Sequence, residues 1–404
     1  MTRKLVKTIW SMAIGLFFCF GLITPSMAAA ESVRVLWDSM ADAAMYEVEI
    51  RDGASVVTTI TTSVPGKEID LTALPKSPKL SWRVRPLNGA KEPVGEYSEM
   101  KSLARGEKNP TAPLPLTDFS DPQSTLLYPA YYWVPVLGAD SYRVSVYAGQ
   151  PDSGNNPLVV SYQIDGGNSF DCYDWHSYNC AGTYYWQVQA LDKTGRPVSD
   201  WSKPSTFTVR QTGYTVAALG DSITHGGGAL SSPPGIAIYD WTQSVSYPIK
   251  NLGKSGDTTE ALLERFDQDV LPFSPKVLVI FAGINDIRDG ASAADIIANL
   301  KQLKKKALEH HMRPVFVTIC PVNPAKVAVQ IGRPLPPDWQ SVRRTVNRWV
   351  LSQNDAVDAA ALLRDRNDIL PDRLSADGLH PDSEGKRLIA QAISGKLYEI
   401  LSQK

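Results

Sequence analysis

In the first half of the chain, apolar residues alternate with polar ones over short segments. Such segments span residues 33–37, 46–50 and 80–84, and Gly, Pro, Asp and Asn separate them. A period of two is typical of β-strands that bury one face. Residues 31–210 are therefore predicted to consist of short strands.

After about Tyr214 the pattern changes to continuous apolar runs that alternate with helical periodicity. The runs span residues 216–219, 276–281 and 314–319, and the helical segments span 291–310, 339–351 and 382–400. Continuous runs are typical of strands buried on both faces of a parallel sheet. We predict a three-layer α/β/α domain over residues 211–404, with its reactive residues on the loops beyond the carboxyl ends of the strands.

The first half contains a tandem duplication. Nine positions separate Trp37 from Tyr46, and nine also separate Trp133 from Tyr142. Each copy has roughly the size of a small β-sandwich. We therefore predict two β-sandwich modules, spanning residues 31–105 and 116–210, joined by a Pro-rich linker over 106–115.

The second copy is longer than the first. Tyr46 lies 36 residues before Trp82, whereas Tyr142 lies 44 residues before Trp186. The eight extra residues are expected in the loop that contains the second copy's two cysteines.

Both copies resemble fibronectin type III modules. The resemblance rests on the pattern Trp-x8-Tyr-x-Val-x-Ile/Val and on a later strand, Trp-Arg-Val-Arg in one copy and Trp-Gln-Val-Gln in the other. One interpretation is a sugar-binding surface made of exposed aromatics, namely Tyr131, Tyr132, Tyr184 and Tyr185. The other, which we favour, is that the aromatics fill the cores and the modules act as spacers.

The chain begins with the pattern of a secretory signal. Arg3, Lys4 and Lys7 precede an apolar stretch over residues 9–23, and small residues follow it. The stretch is shorter than the roughly 18–20 residues that span a bilayer. We predict a signal peptide over residues 1–30, an exported protein in the periplasm or outside the cell, and no membrane anchor after cleavage.

Three cysteines follow the signal segment. Cys172 and Cys180 lie in one polar loop, and an exported chain meets an oxidising compartment, so we predict a disulfide between them. Two free thiols are the alternative, with metal binding a more distant one because the loop offers few further ligands. Cys320 ends an apolar run and is expected to be a buried strand residue.

Composition and charge exclude several classes of function. Of the 404 residues, 43% are apolar and 21% charged, and the formal net charge is −1. A disordered chain would be less apolar, and a nucleic-acid-binding protein would have a basic field. We expect no nucleic-acid partner and a monomeric protein.

Three segments that contain candidate catalytic residues follow predicted strands. Gly220-Asp221-Ser222 places a hydroxyl on the turn that leaves the first strand, where Ser is either a nucleophile or a helix N-cap. The second segment contains Gly256, which allows a backbone N–H to approach a ligand. The third, Gly283-Ile284-Asn285-Asp286, offers the Asn285 amide to a developing negative charge.

A general base must come from five histidines. His310 and His311 are expected on one helix and point about 100° apart, while His176 lies in the second module. His225 follows Ser222 closely but has no evident carboxylate partner. His380 has Asp377 three residues earlier in a turn, so the carboxylate can hold one ring nitrogen while the other serves Ser222.

Together these segments resemble the SGNH (GDSL-type) hydrolases, over about residues 211–404. The resemblance implies a flavodoxin-like fold and a triad of Ser222, His380 and Asp377. It also implies an oxyanion hole formed by Ser222, Gly256 and Asn285, and a reaction that needs neither metal nor organic cofactor. Asp221 and Asp286 are expected to bond local backbone.

The substrate is expected from analogy with such enzymes. We predict hydrolysis of short-chain, O-acetyl esters on a polysaccharide or glycan, so an acetylated polysaccharide is the expected partner. A lysophospholipase or thioesterase is the enzymatic alternative. An extracellular carbohydrate- or matrix-binding protein is the alternative of another class.

Overall fold

A computed structural model describes most of the chain. The described residues are 31–40, 43–88, 91–104, 110–117, 125–151, 153–154, 156–228 and 233–402. The predicted signal peptide and part of the predicted linker lie outside these residues. Within them, no helix combines the length and the apolar character needed to cross a membrane.

The first module has a two-stranded and a four-stranded antiparallel sheet. Its strands are β1 (Ser32–Leu36), β2 (Met45–Asp52), β3 (Ser55–Thr62), β4 (Gly66–Asp70), β5 (Leu80–Leu87) and β6 (Lys101–Ser102). β1 pairs with β4, and the larger sheet has the order β3-β2-β5-β6. Side chains of both sheets, such as Val35 and Trp82, share one core. The period of two therefore predicted β1, β2 and β5 correctly, whereas β3, β4 and β6 were not among the predicted segments.

The second module repeats this plan with one more strand. Its strands are β7 (Leu114–Pro115), β8 (Ala130–Val134), β9 (Ser141–Tyr147), β10 (Leu158–Asp165), β11 (Asp171–Tyr173), β12 (Gly182–Leu191) and β13 (Ser205–Val209). The sheets have the orders β11-β8-β7 and β10-β9-β12-β13. Both contribute to one core around Trp133 and Trp186.

The C-terminal domain contains a five-stranded, fully parallel sheet. Its strands are β14 (Val216–Gly220), β15 (Ile249–Gly253), β16 (Val277–Phe281), β17 (Arg313–Val317) and β18 (Ala356–Val357), in the order β15-β14-β16-β17-β18. β14, β15 and β16 are buried along their whole length. The continuous apolar runs thus predicted the parallel sheet correctly.

Helices connect and cover these strands. They are α1 (Ser222–His225), α2 (Thr259–Asp269), α3 (Ile284–Arg288), α4 (Ala293–Glu309), α5 (Pro324–Lys326), α6 (Trp339–Leu351), α7 (Ala360–Leu363) and α8 (Ser383–Ser402). A π-turn spans Val327–Ile331, and 3₁₀ turns span Ala237–Tyr239, Trp241–Ser244, Leu271–Phe273 and Asp372–Leu374. α2, α4 and α6 pack side by side, whereas α8 contacts β18, α7 and three of the 3₁₀ turns.

The second module is joined to the C-terminal domain through buried contacts. Leu127 and Tyr128 belong to the core of the C-terminal domain. The Leu127 N–H donates to the carbonyl of Asn251 on the edge strand β15, at 3.3 Å. Lys250 on the same strand is fully buried and donates from Nζ to the Thr125 carbonyl at 2.8 Å. These contacts make the module part of the structure that surrounds the sheet.

The structure corrects the predicted disulfide and removes one residue from the sugar-surface interpretation, which was not the favoured one. Cys172 and Cys180 are free thiols, and Cys172 is buried in β11 whereas Cys180 is exposed. Tyr131 is fully buried and donates its hydroxyl to Asp174 at 2.7 Å, so it is unavailable to a surface sugar site. Tyr132, Tyr184 and Tyr185 are partly buried.

Candidate active site

Ser222 stands at the carboxyl end of the central strand β14, on a turn shaped by its neighbours. Gly220 ends the strand, and a Cβ there would collide with the carbonyl oxygen of Phe281. Asp221 then caps α1 by accepting a hydrogen bond from the Ile223 N–H at 2.9 Å. Ser222 is thus the first residue of α1, and the cap is its neighbour. The helix-cap alternative for Ser222 is therefore excluded.

His380 brings its ring to the Ser222 hydroxyl. The Nε2 atom lies 2.9 Å from Oγ of Ser222, and Nδ1 lies 2.7 Å from Oδ2 of Asp377. A carboxylate only accepts hydrogen bonds, so Nδ1 bears the proton and Nε2 is left to accept the hydroxyl proton. The three residues therefore have the geometry of a nucleophile, a base and an orienting acid.

Asp377 is held in its charged form. Its Oδ1 accepts the backbone N–H groups of Leu379 and His380, each at 2.8 Å. Burial alone would raise the pKa of Asp377, but the charge and the hydrogen bonds of His380 and these backbone bonds outweigh it. Together they lower the pKa to about 2. The helix expected next starts two residues after Pro381, with Asp382 accepting the Gly385 N–H.

Asn285 and Gly256 face the same cleft as Ser222. The Asn285 amide donates one proton to the Asp257 carbonyl at 2.9 Å, which leaves its second N–H for a ligand. Arg288 donates to the Asn285 Oδ1 at 3.1 Å and so fixes which end of the amide is the donor. Gly256 has a φ of +89°, a conformation that L side chains rarely adopt.

Asp286 has a different role from the local one that we predicted. Its Oδ2 accepts the Thr259 N–H at 2.9 Å, and the Thr259 hydroxyl donates to its other oxygen at 2.5 Å. Asp286 therefore joins α3 to the start of α2. This bond fixes the loop of Gly256 relative to Asn285, a role that residue order alone did not indicate.

The other histidines are not placed to act as the base. His225 is fully buried, and its Nε2–H donates to the Tyr128 carbonyl at 2.6 Å while Nδ1 accepts from the Ser255 hydroxyl at 2.9 Å. Burial lowers its pKa to about 4, so the ring stays neutral. His310 and His311 follow the end of α4 rather than lying on it.

Buried charges surround the nucleophile turn. Burial raises the pKa of Asp221 to about 7 and lowers the pKa of Lys386 to about 8. Lys386 donates from Nζ to the Ile223 carbonyl at 2.6 Å, within α1. This hydrogen bond joins the nucleophile turn to helix α8. In the described part of the chain, no group of three or more His, Cys, Asp or Glu is arranged to hold a metal ion.

The cleft also contains residues of the second module, which the sequence did not indicate. It has a volume of about 550 Å³, and Asp171, Tyr173 and Trp175 line it together with Ser222 and His380. The extra length of the second copy was expected in this loop, and that prediction is wrong: it lies mainly between the end of β9 at Tyr147 and the start of β10 at Leu158, where the first copy passes from Asp52 directly to Ser55. Residue spacing therefore gave no signal for these three cleft residues. The interpretation of this module as a spacer did not include this contribution to the lining of the cleft.

Comparison with known proteins agrees with this arrangement. Residues 218–388 match the model of the GDSL-like Lipase/Acylhydrolase family. The match supports membership of the GDSL/SGNH family for the C-terminal domain, and with it an esterase or acylhydrolase activity. A comparison with curated proteins found no match.

Solved structures with similarity to this chain include three bacterial enzymes. One is a lipase/acylhydrolase from Enterococcus faecalis (22% identity, 46% of this chain and 97% of that chain covered, TM-score 0.38). Another is a GDSL-like lipase from Bacteroides thetaiotaomicron (20% identity, 46% of this chain and 88% of that chain covered, TM-score 0.37). The third is a catalytic mutant of an acetylxylan esterase from Geobacillus stearothermophilus (21% identity, 46% of this chain and 94% of that chain covered, TM-score 0.34).

Proposed function

We propose that the protein is an exported serine esterase that hydrolyses short-chain, O-acetyl esters on a polysaccharide or glycan. Two contacts support the proposal of a serine esterase. Ser222 Oγ lies 2.9 Å from His380 Nε2, and His380 Nδ1 lies 2.7 Å from the Asp377 carboxylate. The proposal of export rests on the basic and apolar pattern of residues 1–30.

The reaction begins when His380 takes the Ser222 proton and Oγ attacks the ester carbonyl. The tetrahedral oxyanion is stabilised by the backbone N–H groups of Ser222 and Gly256 and by the free N–H of Asn285. Asp377 stabilises the imidazolium. His380 then gives the proton to the leaving alcohol oxygen, which leaves an acyl-serine.

Water completes the cycle. His380 removes a proton from the attacking water, the second oxyanion collapses, and Ser222 Oγ leaves with the proton from His380. The products are the carboxylic acid and free enzyme. These steps use only side chains and backbone groups of the site described above.

The lining of the cleft favours a short acyl group. A long acyl chain needs a continuous apolar channel, because each buried CH₂ contributes about 0.8 kcal/mol. Among the described lining residues, the aliphatic side chains are Pro233, Ile331 and Leu379, and the remainder are polar, aromatic or glycine. This lining supports an acetyl ester over a lysophospholipid or a long-chain thioester.

The test is hydrolysis of p-nitrophenyl esters from acetyl to octanoyl by the mature protein, with Ser222→Ala as control. We expect activity that is highest on acetate and is lost in the variant. Activity that rises with acyl length would favour a lipid or thioester substrate. Equal background in both proteins would refute the serine-esterase proposal and favour a binding function.

A further inference from the structure

An exposed aromatic surface of the second module borders the candidate active site. Trp175 is 49% exposed, although large apolar rings are usually buried. Its ring lies over that of Tyr173 with centroids 5.8 Å apart and planes at 21°. Both residues line the cleft that contains Ser222 and His380. We call Tyr173 and Trp175 the aromatic platform.

The platform is held rigidly by buried hydrogen bonds. Asp174, which lies between the two rings in sequence, is fully buried and accepts the hydroxyls of Tyr131, Tyr162 and Tyr178 at 2.6–2.7 Å. The backbone N–H of Trp175 donates to the Tyr162 hydroxyl at 3.1 Å. These bonds fix the backbone that carries the two rings, so a ligand does not have to order this loop when it binds.

The platform is also fixed relative to the catalytic domain. The edge of the Tyr173 ring meets the His225 ring, with centroids 6.1 Å apart and planes at 70°. Ser177, a few residues further on, donates to Asp269 of α2 at 2.7 Å. Because His225 lies on the nucleophile helix α1, the distance between the platform and Ser222 is set by direct packing.

The chemistry of the platform fits a sugar ring. One face of a β-1,4-linked pyranose presents C–H groups, which pack on the electron-rich face of an indole. The Asp171 carboxylate lines the same cleft and is an acceptor for hydroxyl groups. An acyl chain would gain nothing from that carboxylate, whereas a sugar uses both the flat apolar surface and the acceptor.

We propose that Tyr173, Trp175 and Asp171 form a sugar-binding subsite through which the second module selects acetylated oligosaccharides for the site at Ser222. This proposal rests on the proposed esterase function and adds the substrate class and the residues that recognise it. The module then determines specificity, and the α/β domain supplies the reaction.

Binding is measured first, in a form that does not depend on turnover. Ser222→Ala protein is titrated calorimetrically with partially acetylated xylo- and cello-oligosaccharides, alone and combined with Trp175→Ala. We expect Trp175→Ala to weaken binding at least about tenfold, as for loss of a stacked aromatic contact. Tyr398→Ala, which removes a 65%-exposed ring on α8 away from the cleft, is the matched control and should leave binding within twofold.

Turnover is measured second, with glycerol triacetate as a small ester that contains no ring to stack. The readout is the ratio of kcat/KM on the acetylated oligosaccharide to kcat/KM on triacetate, and Trp175→Ala should lower it at least tenfold. No binding by the Ser222→Ala protein, or equal binding with and without Trp175, would overturn the subsite. So would an unchanged ratio, or a loss confined to octanoyl esters. Absence of Ser222-dependent turnover with intact Trp175-dependent binding would instead refute only the esterase proposal.

Discussion

The Nε2 of His225 lies 2.6 Å from the carbonyl oxygen of Tyr128, so a histidine three residues after the nucleophile is bound to the neighbouring module. The ring is buried and neutral, and both of its nitrogens have partners. His225 therefore connects two parts of the protein, whereas His380, with one nitrogen at Ser222, is placed as the base.

This division of roles predicts two different phenotypes. His380→Ala should lower kcat on p-nitrophenyl acetate by on the order of 10⁴-fold or more, because the proton acceptor is lost. His225→Ala should lower kcat less than about tenfold but reduce the free energy of unfolding by about 1–3 kcal/mol, because a buried hydrogen bond is broken. Steady-state kinetics and urea unfolding measure the two effects. The reverse pattern would make His225 the base.

The acidity of Asp377 predicts the form of the pH profile. Its pKa of about 2 lies below the ordinary value for Asp, so its charged form favours the folded state. That contribution is present above about pH 4 and is lost as the pH falls towards 2. Above pH 4 the Asp377 carboxylate should therefore stay charged and add no slope of its own to the acid limb of kcat/KM.

Asp377→Asn tests the same carboxylate directly. The amide cannot hold Nδ1–H as a charged acceptor, and kcat should fall by on the order of 10⁴-fold with the fold retained. A slope of two in the wild-type acid limb, or an active Asn variant, would contradict the assignment of Asp377.

The Asn285 amide is predicted to stabilise the oxyanion. Asn285→Ala removes the free N–H, so kcat should fall by about 10²–10³-fold with little change in KM. Asn354→Ala, at an exposed position after α6, is the control and should match wild type. A kcat within threefold of wild type for Asn285→Ala would remove this residue from the site.

The sequence was sufficient for the elements that depend on local patterns. Helix α6 has the predicted bounds, 339–351, and Ser222, Asp377 and His380 meet as their strand-end and turn positions indicated. The partners of Asp286 and His225 lie 27 and 97 residues away, and no local period specifies them. The prediction of a Cys172–Cys180 disulfide was wrong for a related reason, because residue spacing does not show which of the two side chains points into the core.

Because Asp221 is buried, we predict that its replacement by Asn changes the stability of the protein in a pH-dependent way. Its pKa is raised to about 7, so the protonated form favours the folded state. This contribution is fully present below the ordinary Asp pKa of about 4 and is lost as the pH rises through about 7. Asp221→Asn keeps an oxygen for the Ile223 N–H but cannot ionise. Its Tm relative to wild type should therefore be higher at pH 8 than at pH 5.

A matched substitution makes this measurement interpretable. Asp38→Asn changes an exposed carboxylate, and its Tm difference from wild type should be the same at both pH values. If the Asp221→Asn difference is also independent of pH, the buried carboxyl does not change its ionisation in this range.

The contacts between the second module and the sheet predict that residues 211–404 are not self-sufficient. Without residues 31–210, the domain loses Leu127 and Tyr128 from its core, and Lys250 Nζ loses the Thr125 carbonyl. A buried ammonium without its acceptor is costly, and the exposed apolar edge promotes association. We therefore expect the isolated domain to have a lower Tm than the full-length protein and a lower kcat/KM even on p-nitrophenyl acetate. Lys250→Met in the isolated domain should recover part of the lost Tm, because it removes the unpaired ammonium. If the isolated domain instead has the Tm and turnover of the full-length protein, the module serves only to present the substrate.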